Sequence, residues 1–198
     1  EMIKKESNIN LDEAKYFAGH SLGEYSALAT SGSLNFKSAI KLLNQRGKAM
    51  QTAVPKGTGG MVAVLGVDIK EINNLLEENQ NKYKCYVAND NSNGQIVLSG
   101  LNLDIDKFIE TLKSKKIKNI RLPVSAPFHC KLMDKATSIM RDKINSTTFE
   151  KPRNIIISNV TGTENQEIDK IKDLLIKQIE SPVRWRESVI YMIKNGVS

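Results

Sequence analysis

Metal-ligating and bridge-forming side chains are scarce in this 198-residue chain, which has two cysteines and two histidines. Cys85 and Cys130 fit no metal spacing, and two cysteines make no disulfide scaffold. A reducing compartment, the cytoplasm, is therefore expected. Aromatic residues are only 6% of the chain, and none is interleaved with the basic run from Lys113 to Lys118. Nucleic acid is accordingly not expected as a partner. No apolar run approaches the length that crosses a bilayer, so no membrane partner is expected either. No signal peptide is visible, although the sequence opens at Glu1 and not at Met, and so reads as cut.

What remains is a globular composition, 40% hydrophobic and 26% charged. The length suits one domain with a core and room for a small subdomain. The net charge of +7 reads first as a lysine-rich solvated surface. It would also suit an acidic partner or a phosphate-bearing substrate.

Residues 14–18 (AKYFA) read as a short buried strand. The period then changes, with Leu22, Tyr25, Leu28 and Ala29 recurring at helical spacing up to Gly32. Asn35 can cap a second helix over 36–52. PKGTGG, 55–60, reads as a loop and a subdomain boundary. Beyond it, strand, helix, strand, strand, helix and strand patterns follow, the middle strands joined through NDNSNG. This βαββαβ order over 61–124 is the split-βαβ pattern of ferredoxin-like units. A helix fits 131–144, a strand 154–160, and two more helices 168–180 and 184–194. The fold class expected is α/β with a small inserted unit.

The chemistry centres on GHSLG, residues 19–23, a G-x-S-x-G pattern. At ordinary Gly and Ser usage such a match arises by chance roughly 0.07 times in a chain of this size. The pattern alone is suggestive, and its context strengthens it. A strand before and a helix after are what a nucleophile elbow requires, with the glycines avoiding clashes on either side of Ser21. The helix N-terminus then offers free N–H groups, Leu22 first, to a developing oxyanion. The competing reading makes Ser21 an ordinary N-cap. A serine nucleophile needs a base. His20 is adjacent but points away across such a turn, which leaves His129, in VSAPFHC after a predicted strand. On a helical wheel of 36–52, Phe36, Ala39, Ile40, Leu42, Leu43, Gly47 and Met50 form an apolar arc, and Arg46 falls inside it. A buried arginine must find an anion. It either pairs with a core acid or presents a bidentate fork to a substrate carboxylate.

With these residues in view, the chain resembles the malonyl-CoA:acyl-carrier-protein transacylases of fatty acid synthesis. GHSLGEYSAL is similar to that family's nucleophile motif, QRGKAMQ to its arginine motif and LPVSAPFHCKLM to its histidine motif. GGMVAVLG, VANDNSNGQIVLSG, SNVTG and QIESPVRWRESV also resemble family segments, in the same order. The resemblance implies a hydrolase-like core with a parallel sheet, from residues 1–56 and 125–198, and a ferredoxin-like subdomain over 57–124. It implies Ser21 as nucleophile, His129 as base and Arg46 as the holder of the malonyl carboxylate. Gln178 matches the glutamine whose backbone carbonyl orients the histidine. Asn89, Asn91 and Asn159 match asparagines near the site, and Phe128 would narrow the pocket in favour of malonyl over branched groups. Malonyl-CoA and acyl carrier protein are the implied partners, with no cofactor, and the complete protein is expected to be a monomer. The family's N-terminal Gly/Gln-rich loop and Gly-rich C-terminal segment are absent, so these residues are expected to be a central piece that exposes apolar core surface and has weak or no activity alone.

Three other readings stay open. A serine hydrolase or thioesterase would want an acid before the histidine, and Asp90, Asp104 and Asp106 lie there. It has no use for an arginine facing the acyl group. A degenerate module could bind carrier protein without chemistry. The chain could also be an acyltransferase domain excised from a larger synthase.

Overall fold

The structure, a computed structural model, describes residues 10–197. The outermost parts of the expected core, 1–9 and 198, lie outside the described residues. The chain is mixed α/β, with two separate sheets and seven α-helices among the described residues.

The first sheet starts with β1, Tyr16–Phe17, which pairs in parallel with β6, Ile155–Ile157. The strand expected over 14–18 is therefore only two residues long, and both are half-buried. The strand expected over 154–160 also ends early. Beyond Ile157 the chain reverses in a hairpin turn, with Ser158 N–H bonding Thr163 O and Gly162 N–H bonding Ser158 O. That turn creates an unexpected strand, β7, Glu164–Asn165, antiparallel to β6. The expected parallel sheet thus has one parallel and one antiparallel pair.

Two helices follow β1. α1, Leu22–Thr30, buries Glu24, Tyr25, Ala27 and Leu28. Leu22, expected on the buried face, is 54% exposed, although Glu24 and Tyr25 in the same turn are buried. α2, Phe36–Thr52, has the expected bounds, and Asn35 caps it by accepting the Ser38 N–H at 2.8 Å. Its buried residues are Ala39, Leu42, Arg46, Ala49 and Met50. Phe36 and Ile40, expected in the buried arc, are exposed. At 100° per residue they lie about 80° and 120° from Arg46, off the edge of a stripe that Arg46 itself centres.

The second sheet is built from β2, Gly59–Leu65; β3, Cys85–Ser92; β4, Gln95–Leu101; and β5, Lys118–Arg121. Its order is β3-β4-β2-β5 and every pair is antiparallel. α3, Ile69–Glu78, and α4, Asn102–Ser114, complete the βαββαβ order. Val62, Val64, Ile96 and Leu98 from the sheet bury against Ile72, Ile105, Phe108 and Leu112 from these helices. This core is distinct from the larger one of α1, α2, α5 (Asp134–Asn145) and α6 (Ile168–Gln178). β5 ends at Arg121, short of the expected 124: Leu122 N–H still reaches Met61 O, but Val124 N–H turns back to Leu122 O.

The segment before α7, Trp185–Lys194, ties the two parts together. Val183 N–H bonds Ala88 O, Asp90 N–H bonds Val183 O, and Arg184 N–H bonds Asn159 O. Arg186 then grips the buried Asp90 carboxylate, Nε at 3.0 Å and Nη2 at 2.7 Å.

Candidate active site

Ser21 sits between β1 and α1 with φ 52° and ψ −107°. A left-handed φ on a non-glycine residue costs about 1–3 kcal/mol and is kept only where the surroundings hold it. Here Asn159 holds both sides of the turn. Its Oδ1 accepts the Ser21 N–H at 2.6 Å, and its Nδ2 donates to Gly19 O at 2.9 Å. Ser21 makes no side-chain capping bond, so the N-cap reading fails. The Leu22 N–H, at the first helical position, has no partner among the described residues, whereas Gly23 N–H bonds His20 O.

The two glycines of the motif differ. A Cβ on Gly19 would lie 2.1 Å from the Gly23 carbonyl carbon, a backbone clash that nothing relieves. A Cβ on Gly23 meets nothing within 4 Å, so the expectation of steric need on both sides holds only for Gly19. Gly19→Ala is expected to destabilise the protein by about 3 kcal/mol or more. Gly23→Ala, on a helix, should be neutral or stabilise the protein by up to about 1 kcal/mol. Chemical denaturation midpoints of the two variants check this contrast.

Ser21 Oγ lies 2.8 Å from His129 Nε2. His129 Nδ1 is 2.9 Å from the backbone carbonyl of Gln178, which can only accept. Nδ1 therefore carries the proton, and Nε2 presents its lone pair to the serine hydroxyl. Burial, helped by the nearby Arg46 charge, pushes the His129 pKa down to about 4. The imidazole is neutral at pH 7 and free to accept a proton. The folded value lies below the ordinary 6.5, so the stability this site contributes is full above about pH 6.5 and lost as pH falls through about 4.

Arg46 is 6% exposed. Its Nη2 donates to Ser21 Oγ and to Gln178 Oε1, both at 3.0 Å, and its Nε is buried without a partner. Burial lowers the Arg46 pKa, though a guanidinium stays charged. No carboxylate bonds it among the described residues, so the guanidinium is only partly satisfied. Gln178 is fully buried and joins the whole group. Its Nε2 donates to Glu24 Oε2 at 2.8 Å and to Ser21 O at 3.1 Å.

The remaining predicted residues divide. Asn159 is in the site. Asn91 reaches it indirectly, its Oδ1 2.8 Å from His20 Nε2, while the His20 ring tilts against Trp185. His20 is thus held away from Ser21, as expected. Asn89 is buried within β3, and its backbone bridges to Val183 in the segment before α7. Phe128 is half-buried and packs on the main core and on a small cluster of Met61, Ala63, Ala88 and Val97. The acids that a hydrolase triad would want are elsewhere: Asp90 is held by Arg186, Asp106 pairs with Arg121, and none bonds His129. Two features escaped the sequence reading: the burial of Glu24, and the pairing of Asp90 with Arg186. Burial pushes the two thiols up, that of Cys85 to about 12, so neither is a competing nucleophile. Among the described residues no group of His, Cys, Asp and Glu could hold a metal ion, and no helix is long and apolar enough to cross a membrane.

Residues 12–197 match the acyl transferase domain family. The malonyl CoA-acyl carrier protein transacylase of Escherichia coli strain K12 is 39% identical over 181 residues, 91% of this chain and 59% of the relative. That of Bacillus subtilis strain 168 is 39% identical over 198 residues, 98% of this chain and 61% of the relative. Among solved structures, the acyl-carrier-protein-S-malonyltransferase of Bartonella henselae superposes with a TM-score of 0.92 at 38% identity, over 96% of this chain and 61% of that one. A malonyl-transacylase solved with its type II PKS acyl-carrier protein gives a TM-score of 0.91 at 34% identity, over 99% of this chain and 62% of that one. The chain spans about three fifths of the length of these relatives.

Proposed function

The chain belongs to the acyl transferase domain family, and from that premise we propose that its whole protein moves a malonyl group from malonyl-CoA to the phosphopantetheine thiol of acyl carrier protein. The observation that carries this reading is the meeting of Ser21, His129 and Arg46. A hydroxyl 2.8 Å from a neutral imidazole stands beside a buried guanidinium with unused donors. Uncharged acyl groups would not need that guanidinium, and a carboxylated one would.

The steps follow from the geometry. His129 Nε2 takes the Ser21 proton as Oγ attacks the thioester carbonyl carbon. The carbonyl oxygen becomes an oxyanion, stabilised by the free Leu22 N–H at the head of α1. Collapse breaks the C–S bond, and the CoA sulfur leaves with the proton from His129. The carrier-protein thiol then gives its proton to Nε2 and attacks the malonyl-serine, and Ser21 recovers its hydroxyl. Throughout, Arg46 holds the malonyl carboxylate with a charge-assisted fork. No step requires a cofactor.

The same reading assigns a hydrolase-like core to residues 1–56 and 125–198 and a ferredoxin-like subdomain to 57–124, a division that the β3-β4-β2-β5 order and the two cores support. It places the protein in the cytoplasm. Against the thioesterase reading stands His129 Nδ1, bonded to a carbonyl and not to an acid. The test mixes the full-length protein with malonyl-CoA and reads intact mass. One malonyl mass on Ser21, discharged by holo-acyl carrier protein as malonyl-carrier thioester, is the expected result. Release of free malonate at the same rate with or without carrier protein would establish a hydrolase.

A further inference from the structure

Glu24 is the group that the reaction as written leaves unused. It lies in the first turn of α1, where acidic side chains are ordinarily solvated and favoured by the helix dipole, yet it is 2% exposed. Its Oε2 accepts the Asn159 N–H at 3.1 Å and Gln178 Nε2 at 2.8 Å. The far end of the same Gln178 amide, Oε1, accepts from Arg46 Nη2. Carboxylate and guanidinium are thus separated by one amide, which donates to the first and accepts from the second. This arrangement balances the charge of Arg46 without occupying its fork.

We propose that Glu24 is the resting counter-charge of Arg46, and that it takes up a proton from solvent when the carboxylate of an acyl group binds there. One guanidinium cannot neutralise two buried carboxylates, and of the two Glu24, sealed from water before the substrate arrives, takes a proton more readily near neutral pH. Before binding, the cluster holds Arg46 positive and a Glu24 that is partly ionised at pH 7. Afterwards it holds Arg46 positive, the acyl carboxylate negative and Glu24 neutral. An uncharged acyl group leaves Glu24 as it was.

The surroundings of Glu24 support this assignment. From α2, Arg46 is the one charge acting on it, and from its own helix Tyr25 stays a neutral phenol, its pKa raised to about 12 by burial. α6 contributes the Gln178 amide and the loop after β6 contributes a backbone N–H. β6 carries only isoleucines, and Tyr16 of β1 packs edge-on against Tyr191. His129 faces Arg46 and Ser21 and is neutral. Desolvation raises the Glu24 pKa to about 7, which puts its proton exchange in the working range. Protonation does not free Gln178 to flip, because Ser21 O at 3.1 Å and Asn159 Oδ1 at 3.4 Å still face its Nε2.

The proposal rests on the malonyl reading, and one experiment separates the two. Malonyl-CoA and acetyl-CoA are titrated calorimetrically into full-length Ser21→Ala protein, in buffers of different ionisation enthalpy. A ten-fold coupling moves the Glu24 pKa by one unit and predicts about 0.4 extra proton taken up with malonyl-CoA at pH 7. The comparison with acetyl-CoA removes the contribution of the CoA phosphates. The extra uptake should vanish in Ser21→Ala/Glu24→Gln. Equal uptake with both esters, or uptake that survives Glu24→Gln, overturns the proposal. Malonyl-CoA binding that ignores Arg46→Ala overturns the malonyl reading instead. A readout that needs no Glu24 variant is the pH profile of the unsubstituted enzyme. Its KM for malonyl-CoA should rise about five-fold or more between pH 6 and pH 9 while that for acetyl-CoA stays level. A level malonyl profile overturns the proposal as well.

Discussion

Ser21→Ala is expected to lower acyl transfer by the full-length protein by about 10⁴-fold or more in kcat. The covalent route ends with the hydroxyl, and only binding and the oxyanion donor remain. The fold should survive, since the Ser21 backbone is held by its N–H to Asn159 Oδ1 and its carbonyl to Gln178 Nε2, neither of which involves Oγ. Alanine inherits the same left-handed φ at no new steric cost. The measurement is paired: a steady-state rate with holo-acyl carrier protein, and intact mass after incubation with malonyl-CoA. Loss of both the rate and the adduct is the expected outcome. An adduct that persists on the alanine variant would mean that another side chain carries the acyl group. The buried thiols, Cys85 and Cys130, are poorly suited to that task, because burial holds their pKa values high.

Arg46→Ala has the second largest expected effect, and it depends on the substrate. For malonyl-CoA, kcat/KM should fall by about 10²–10³, as when one end of a buried, charge-assisted pair is removed. For acetyl-CoA the fall should stay below about ten-fold, reflecting only the lost donor to Ser21 Oγ. The ratio of the two is the quantity to read, since it cancels general disturbance of the site. Equal losses for both esters would remove the carboxylate clamp from the mechanism. Arg46→Lys should recover little of the ratio, because a single ammonium cannot serve Gln178 Oε1, Ser21 Oγ and two carboxylate oxygens together.

These residues differ in how plainly they could be read from the chain. Arg46 was legible because α2 is long and regular: 17 residues sample the wheel several times, and a lone charge on the apolar face stands out. The edges of that face were not, since periodicity gives the direction of the core and not the width of its cover, and so Phe36 and Ile40 were misplaced. Ser21 and His129 were legible as residue types in a context, although the distance between them spans 108 positions. Glu24 was invisible for the opposite reason. Its position in the first turn of α1 matches a solvated acid, and its burial follows from Gln178 and Asn159, 154 and 135 residues away. The Asp90–Arg186 pair is equally non-local. β7 arose from a turn that carries no hydrophobic period at all.

In the proposed reaction, the carbonyl behind His129 would set a threshold on which nucleophiles can discharge the acyl-serine. A carboxylate in that position would steady the imidazolium and make a stronger base; the Gln178 carbonyl supplies a dipole and no charge. The base is therefore weak, and its reach depends on how readily the incoming group parts with its proton. A thiol, ionising near 8.5, gives it up easily; water, at 15.7, does not. The proposed acyl-enzyme would in this sense be patient, holding its cargo against bulk water and yielding it to a dilute thiol.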